Sequence, residues 1–124
     1  MINFHTFVAG YKQAILFAET AIADGEDVEN LAGYDFSESA LDAINQDCRL
    51  FWDHNSEKVA LAIAASDDYD YERAGNDFWF SRQHHGVGFW DRGLGLVGDD
   101  LTAAAHSFTE KNIFINDTGL LEIE

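Results

Sequence analysis

The sequence predicts an α+β fold, with N-terminal helices packed on a small, mostly antiparallel sheet. The expected order is helix, helix, short helix, strand, strand, helix, strand, strand. Three observations lead there. Apolar residues recur at helical spacing through the first half of the chain. After Asp67 the apolar period shortens from about 3.6 to about 2. Near the C-terminus, short apolar runs flank a turn containing glycine.

Each element has its own grounds. Phe4, Phe7, Val8, Tyr11, Ile15, Ala18 and Ile22 fall on one helical face, which predicts a first helix over roughly 3–22. Gly25 follows as a stop signal. Residues 24–36 read as an acidic connection. Asp35 and Glu38, three apart around Phe36, suggest a capping box for the second helix. Its stripe is Leu41, Ile44, Cys48, Phe51 and Trp52, and it runs to about Asn55. Ser56 either caps a short third helix carrying Val59, Ala62 and Ile63 or sits in a kinked continuation. Asp99 or Asp100 is positioned to cap a helix through LTAAAHSFTEK, with Leu101, Ala104, Ala105 and Phe108 inward. Residues 112–115 and 120–123 read as short strands around Asn116-Asp117-Thr118-Gly119. With no proline, repeat or low-complexity linker, residues 1–124 read as one domain.

The stretch NDFWFSRQHHGVGFWDRG, residues 76–93, reads as a β-hairpin: strands over 76–82 and 87–92 around Gln83-His84-His85-Gly86. That register sets Trp79 against Trp90 and Asp77 against Arg92 on one face, and Phe80 against Phe89 on the other. Cross-strand pairs of this kind contribute roughly 0.2–1 kcal/mol each. Gly88 is expected to let a neighbouring ring lie across bare backbone. In this reading the aromatic and glycine residues are scaffold.

Residues 74–93, AGNDFWFSRQHHGVGFWDRG, resemble a box carried by small acidic proteins of bacteriophages and mobile elements, of the form AGHDFWLTRNGHGAGFWDRG. The matching positions include Ala74, Gly75, Asp77, Phe78, Trp79, Arg82, His85, Gly86, Gly88, Phe89, Trp90, Asp91, Arg92 and Gly93. LTAAAHSF and NIFINDTGLLEI downstream are similar to that family's helix and closing hairpin. The chain departs from the pattern at Asn76 and His84. The resemblance implies a phage-encoded protein working in a host cytoplasm, and it implies that origin more than any mechanism.

Charge is the dominant global feature. Twenty-three acids face seven bases, for a net charge of −16. Such a field repels nucleic acid and anionic membrane and attracts a basic partner. Between Lys12 and Arg49 there is no base, yet Glu19, Asp24, Glu26, Asp27, Glu29, Asp35, Glu38, Asp42 and Asp47 fall there. Asp67, Asp68, Asp70 and Glu72 form a second cluster. A domain of this length spans very roughly 35 Å, and that length of duplex carries on the order of 20 phosphates. The carboxylates are therefore numerous enough to imitate one. The lone cysteine, Cys48, excludes an internal disulfide, reads as a small buried hydrophobe, and fits a reducing cytoplasm. The N-terminus lacks a basic n-region and a long apolar run, so a signal peptide is not expected.

Catalytic and metal chemistry find little footing. His84 and His85, adjacent on a hairpin tip, would point to opposite faces, and no cysteine pair assists them. Asp67-Asp68-Tyr69-Asp70-Tyr71-Glu72 lacks the central glycine and closing glutamate of a calcium loop. Neither a metal nor a cofactor is expected. The favoured expectation is a non-enzymatic protein that inhibits a host nucleic-acid-binding defence machine, of anti-CRISPR or anti-restriction type, by occupying its basic surface. The contact residues would be Asp24, Glu26, Asp27, Glu29, Asp35, Glu38, Asp42, Asp67, Asp68 and Asp70. One alternative is an interaction module or phage replication accessory using the tip Arg82, Gln83, His84 and His85. Another is a small enzyme using His85, Asp91 and Arg92.

Overall fold

The structure is a computed structural model and describes residues 2–124. The chain is mixed α+β, as expected, but its order is helix, two strands, three helices, two strands.

Helix α1, Ile2–Ala18, buries Phe4, Phe7, Val8, Tyr11, Ala14 and Ile15 along one face. It stops short of the expected residue 22 because Ala21–Ala23 form strand β1, which pairs with β2, Glu26–Val28. Asp24 and Gly25 make the turn with φ of 51° and 81°. Two successive left-handed residues are the signature of a type I′ hairpin, whose twist matches that of the strands, and Asp-Gly is among the sequences that adopt it at least cost. The expected acidic connection is therefore half hairpin.

After a short 3-10 turn at Leu31–Gly33, helix α2 runs from Glu38 to Ala65 without a break. Its cap is Ser37, whose Oγ accepts from the Ala40 amide at 3.1 Å, and not the expected Asp35–Glu38 box. The apolar stripe settles the question at Ser56. Ile44, Cys48, Phe51, Val59 and Ala62 stay in phase, and the buried Asn55 amide donates to the Phe51 carbonyl at 3.0 Å. A helix whose inward face never breaks has no reason to restart.

The expected hairpin over 76–92 does not form. Residues Tyr71–Arg82 are helix α3, capped by Asp70, whose carboxylate accepts from the Arg73 amide at 2.8 Å. A 3-10 turn, Phe89–Asp91, follows and buries Phe89. Tertiary packing overrides the β-propensity of Phe78-Trp79-Phe80. The buried face of α3 includes Ala74, Phe78, Trp79 and Arg82, at helical spacing. Gly75 lies where α3 crosses α1: a Cβ there would overlap the Phe7 carbonyl, and one on Gly10 would overlap the Glu72 carbonyl. The scaffold role of the box does hold. Trp79, Phe78 and Phe89 are fully buried, and the Trp90 ring lies across bare Gly88. Phe51 stacks on Phe78 at 4.2 Å between centroids, and Trp79 meets Tyr11 edge-on at 5.3 Å.

Helix α4, Gly95–His106, begins ahead of Asp99 and Asp100, which therefore lie inside it and do not cap it. Strands β3, Ile113–Ile115, and β4, Leu121–Ile123, complete a four-stranded sheet of order β2-β1-β3-β4. The two outer pairs are antiparallel and the central β1–β3 pair is parallel. Phe36 bridges Leu121 in parallel, so the segment before α2 covers the β4 edge. Among the described residues, no helix is long and apolar enough to cross a membrane.

Candidate functional site: an acid-rimmed sheet face

The pairing registers define two faces. Val28, Ala21, Ile113 and Ile123 form one row, and it packs inward. The adjacent row is Asp27, Ile22, Phe114, Glu122, and alternation places it on the opposite face. Ile22 is 50% exposed and Phe114 is half-buried, and neither joins the core. Helices cover only one face, leaving two apolar side chains at the centre of the other, with a carboxylate at each margin.

The margins are acidic beyond that row. Asp24, Glu26, Asp27 and Glu29 are all exposed on or beside the β1–β2 hairpin. Glu122 and Glu124 lie at the opposite margin, with Asp35, Glu38 and Asp42 on the segment that runs beside β4 into α2. Residues 19–38 hold seven acids and residues 110–124 hold four, against one base, Lys111. Strands lie about 4.7–4.9 Å apart, so Asp27 and Glu122 stand roughly 14 Å apart across the face. Along each margin, alternate residues recur every ~6.7 Å.

Glu122 is the most tightly held of these carboxylates. It accepts from Ser37 Oγ, from Ser39 Oγ at 2.9 Å and from Asn116 Nδ2 at 3.1 Å. The Ser37 bond, then those of Asn116 and Ser39, hold its carboxyl below the usual carboxylate value. Hydrogen bonds to the charged form fix both its ionisation and its position.

The remaining expected contacts divide. Asp67, Asp68 and Asp70 are exposed, but they lie beyond the far end of α2. That helix has 28 residues, a length of ~42 Å, so these acids do not join the sheet face. Their backbone forms a turn leading into α3. Among the described residues, no three His, Cys, Asp or Glu side chains converge to hold a metal ion.

The residues expected at a hairpin tip are mostly occupied with structure. Arg82 is 1% exposed; it donates to Asp47 at 2.7 Å, to Tyr11 at 2.9 Å and twice to the Thr109 carbonyl. Burial works against its charge, but Tyr11 and Asp47 outweigh that and raise its pKa. The Gln83 amide bonds both the N–H and the carbonyl of Lys111. His85 Nε2 lies 2.5 Å from Glu19 Oε2, which also accepts from Trp79 Nε1 at 2.8 Å. Of these four residues only His84 is freely exposed; its φ is 56° and its ring stands 4.3 Å from that of His106. Nor do His85, Asp91 and Arg92 form a constellation. His85 lines a polar cleft of about 260 Å³ with Glu19, Glu110 and Lys111, at the border of the acidic face beside Thr20 and Ile22. Arg92 instead pairs with Asp77, and Asp91 is exposed.

Ile22 and Phe114 were not legible as site residues. Ile22 continues the helical stripe of α1, and Phe114 reads as ordinary strand core. The signal that could have found them is the dipeptide Asp24-Gly25, which predicts a hairpin and hence a second side to the sheet. No protein-family model, curated protein or solved structure matches the chain.

Proposed function

We propose that the chain is a non-enzymatic binding protein that occupies a basic, nucleic-acid-binding surface of a partner through the outer face of its sheet. The observation that carries this reading is the row Asp27–Ile22–Phe114–Glu122, an unpacked apolar centre between acidic margins. An apolar centre with a polar rim is the usual anatomy of a protein interface. The spacing supports a nucleic-acid-like imprint. Two lines of carboxylates roughly 14 Å apart compare with a major groove about 12 Å wide. Lysines and arginines arranged to hold phosphates would meet carboxylates instead. The field of a −16 chain steers such an encounter, and salt weakens it. The resemblance of residues 74–93 to phage and mobile-element proteins makes a defence complex of the host cell the partner class.

The test is capture by immobilised protein from bacterial lysate at low and high ionic strength, beside a variant carrying Asp24→Asn, Glu26→Gln, Asp27→Asn and Glu29→Gln. The expected partner binds DNA or RNA. It elutes with salt, is displaced by nucleic acid, and is lost with the variant. Capture that survives both salt and neutralisation, or that nucleic acid does not compete, would overturn the proposal.

A further inference from the structure

A groove of about 380 Å³ lies between α1 and α2 and is lined by Phe4, His5, Val8, Ala9, Lys12 and Asn45. Its volume is at the small end of the range for ligand sites, roughly 300–1,000 Å³. The Arg49 guanidinium stacks 3.9 Å from the centre of the ring of Phe4, one of the residues that line the groove. Phe4 and Val8 are largely buried, and they give the groove an apolar floor with cationic groups at its rim.

Two cations stand beside this groove without a carboxylate partner. Carboxylates outnumber lysines and arginines by 23 to 7, and Lys58, Arg82 and Arg92 each have one as a partner. Among the described residues, Lys12 and Arg49, like Arg73 and Lys111, have no carboxylate within ion-pair distance; of these four, Lys12 and Arg49 are the two at or next to the groove. Asp42 and Asp53, a turn away on α2, are exposed and pair with neither. Two unpaired cations beside an apolar floor, in a chain so rich in acids, leave a place for an anion that the chain itself does not supply.

We infer that this groove binds a small amphiphilic monoanion. Its apolar body lies on Phe4, Val8 and Ala9. Its carboxylate or sulfonate accepts from Lys12 and Arg49, with the Asn45 amide as a further donor. Charge-assisted bonds of this kind are the stronger sort, and the stems of Lys12 and Arg49 can pack along the ligand's apolar body. The strongly negative net charge opposes anions in general, so selectivity rests on the apolar body and the two cations together. This site is separate from the sheet face and stands or falls independently of it.

Trp52 reports on the site, because its ring lies 5.6 Å from that of Phe4. The full chain is titrated with decanoate, decanol, decyltrimethylammonium and acetate, followed by calorimetry and by tryptophan emission with Trp52→Phe as the control. Saturable one-to-one binding of decanoate is expected, without comparable binding of the other three. Lys12→Ala and Arg49→Ala should each weaken decanoate about tenfold, whereas Arg49→Lys should largely retain it. Thermal melts confirm that the variants fold. Equal binding of decanol or of the cation, unchanged affinity in both alanine variants, or no saturable binding of decanoate would each overturn the inference.

Discussion

Arg92 reaches back fifteen residues to Asp77, and its Nη2 donates to the carboxylate at 2.8 Å while Nε lies 3.1 and 3.2 Å from the two oxygens. Asp77 is fully buried and takes a second partner, the Tyr69 hydroxyl, at 2.8 Å. The pair ties the loop after α3 to that helix. Arg92→Ala leaves an interior carboxylate with one neutral donor. Breaking a buried pair costs about 3–5 kcal/mol, and the partial exposure of Arg92 reduces that through solvent screening to about 2–4 kcal/mol. The urea midpoint of Arg92→Ala should fall accordingly, with Arg92→Lys between it and the parent, because an ammonium lacks the two-pronged geometry. An unchanged midpoint would remove the pair from any account of stability.

Glu122 sets a pH dependence of definite sign. Its folded-state pKa is depressed, so its contribution to stability is fully present above the ordinary carboxylate value of 4.5. That contribution is lost as pH falls below 4.5 and through the depressed folded value. Glu122→Gln should flatten the stability profile in that acidic window and leave its slope near neutrality unchanged. Denaturant titrations at a series of pH values check this.

The α1–α3 crossing tolerates no side chain at Gly75. Overpacking a core costs typically about 1–3 kcal/mol. Here the obstruction is backbone carbonyl, which cannot rotate away, so Gly75→Ala should cost at least ~3 kcal/mol. Gly86 has nothing within 4 Å of a built Cβ, and Gly86→Ala should stay within about 0.5 kcal/mol of the parent. Parallel thermal melts separate the two.

Cys48 is fully buried on the inward face of α2, and burial foremost, then the nearby Asp47, raises its thiol pKa. The thiolate is the reactive form. Reaction with an aromatic disulfide reagent should therefore be negligible in the native protein and complete in denaturant. Fast native labelling would contradict the burial of α2's inner face.

Some of this architecture was legible from pattern alone, and the exceptions have physical causes. The α1 and α2 stripes are apolar at helical spacing, and the β3–β4 turn carries its own glycine, so these elements could be read. Helix α3 could not, because its inward face includes Asp77, Ser81 and Arg82. Each is satisfied by a partner outside the helix: Asp47 for Arg82, Tyr69 for Asp77 and the Phe89 amide for Ser81. With polar residues inside, the helical period is muted, and the aromatic run Phe78-Trp79-Phe80 imitates a strand. Arg92 was expected opposite Asp77 as a cross-strand partner; the contact exists, but a helix and a loop make it. The acidic surface was legible as composition and not as geometry. Its division into a sheet face and a separate group beyond α2 depends on the unbroken length of that helix.

The parallel pairing of β1 with β3 joins Ala21 to Ile113, across about ninety residues of intervening chain. Loop closure on that scale is slow compared with helix docking. The helices can therefore condense first, and the charged surface comes into being only when the two distant ends of the fold meet. Any lesion that loosens the final hairpin should erase the proposed recognition while leaving the helical core intact, so loss of that binding and loss of helicity should be separable in the laboratory.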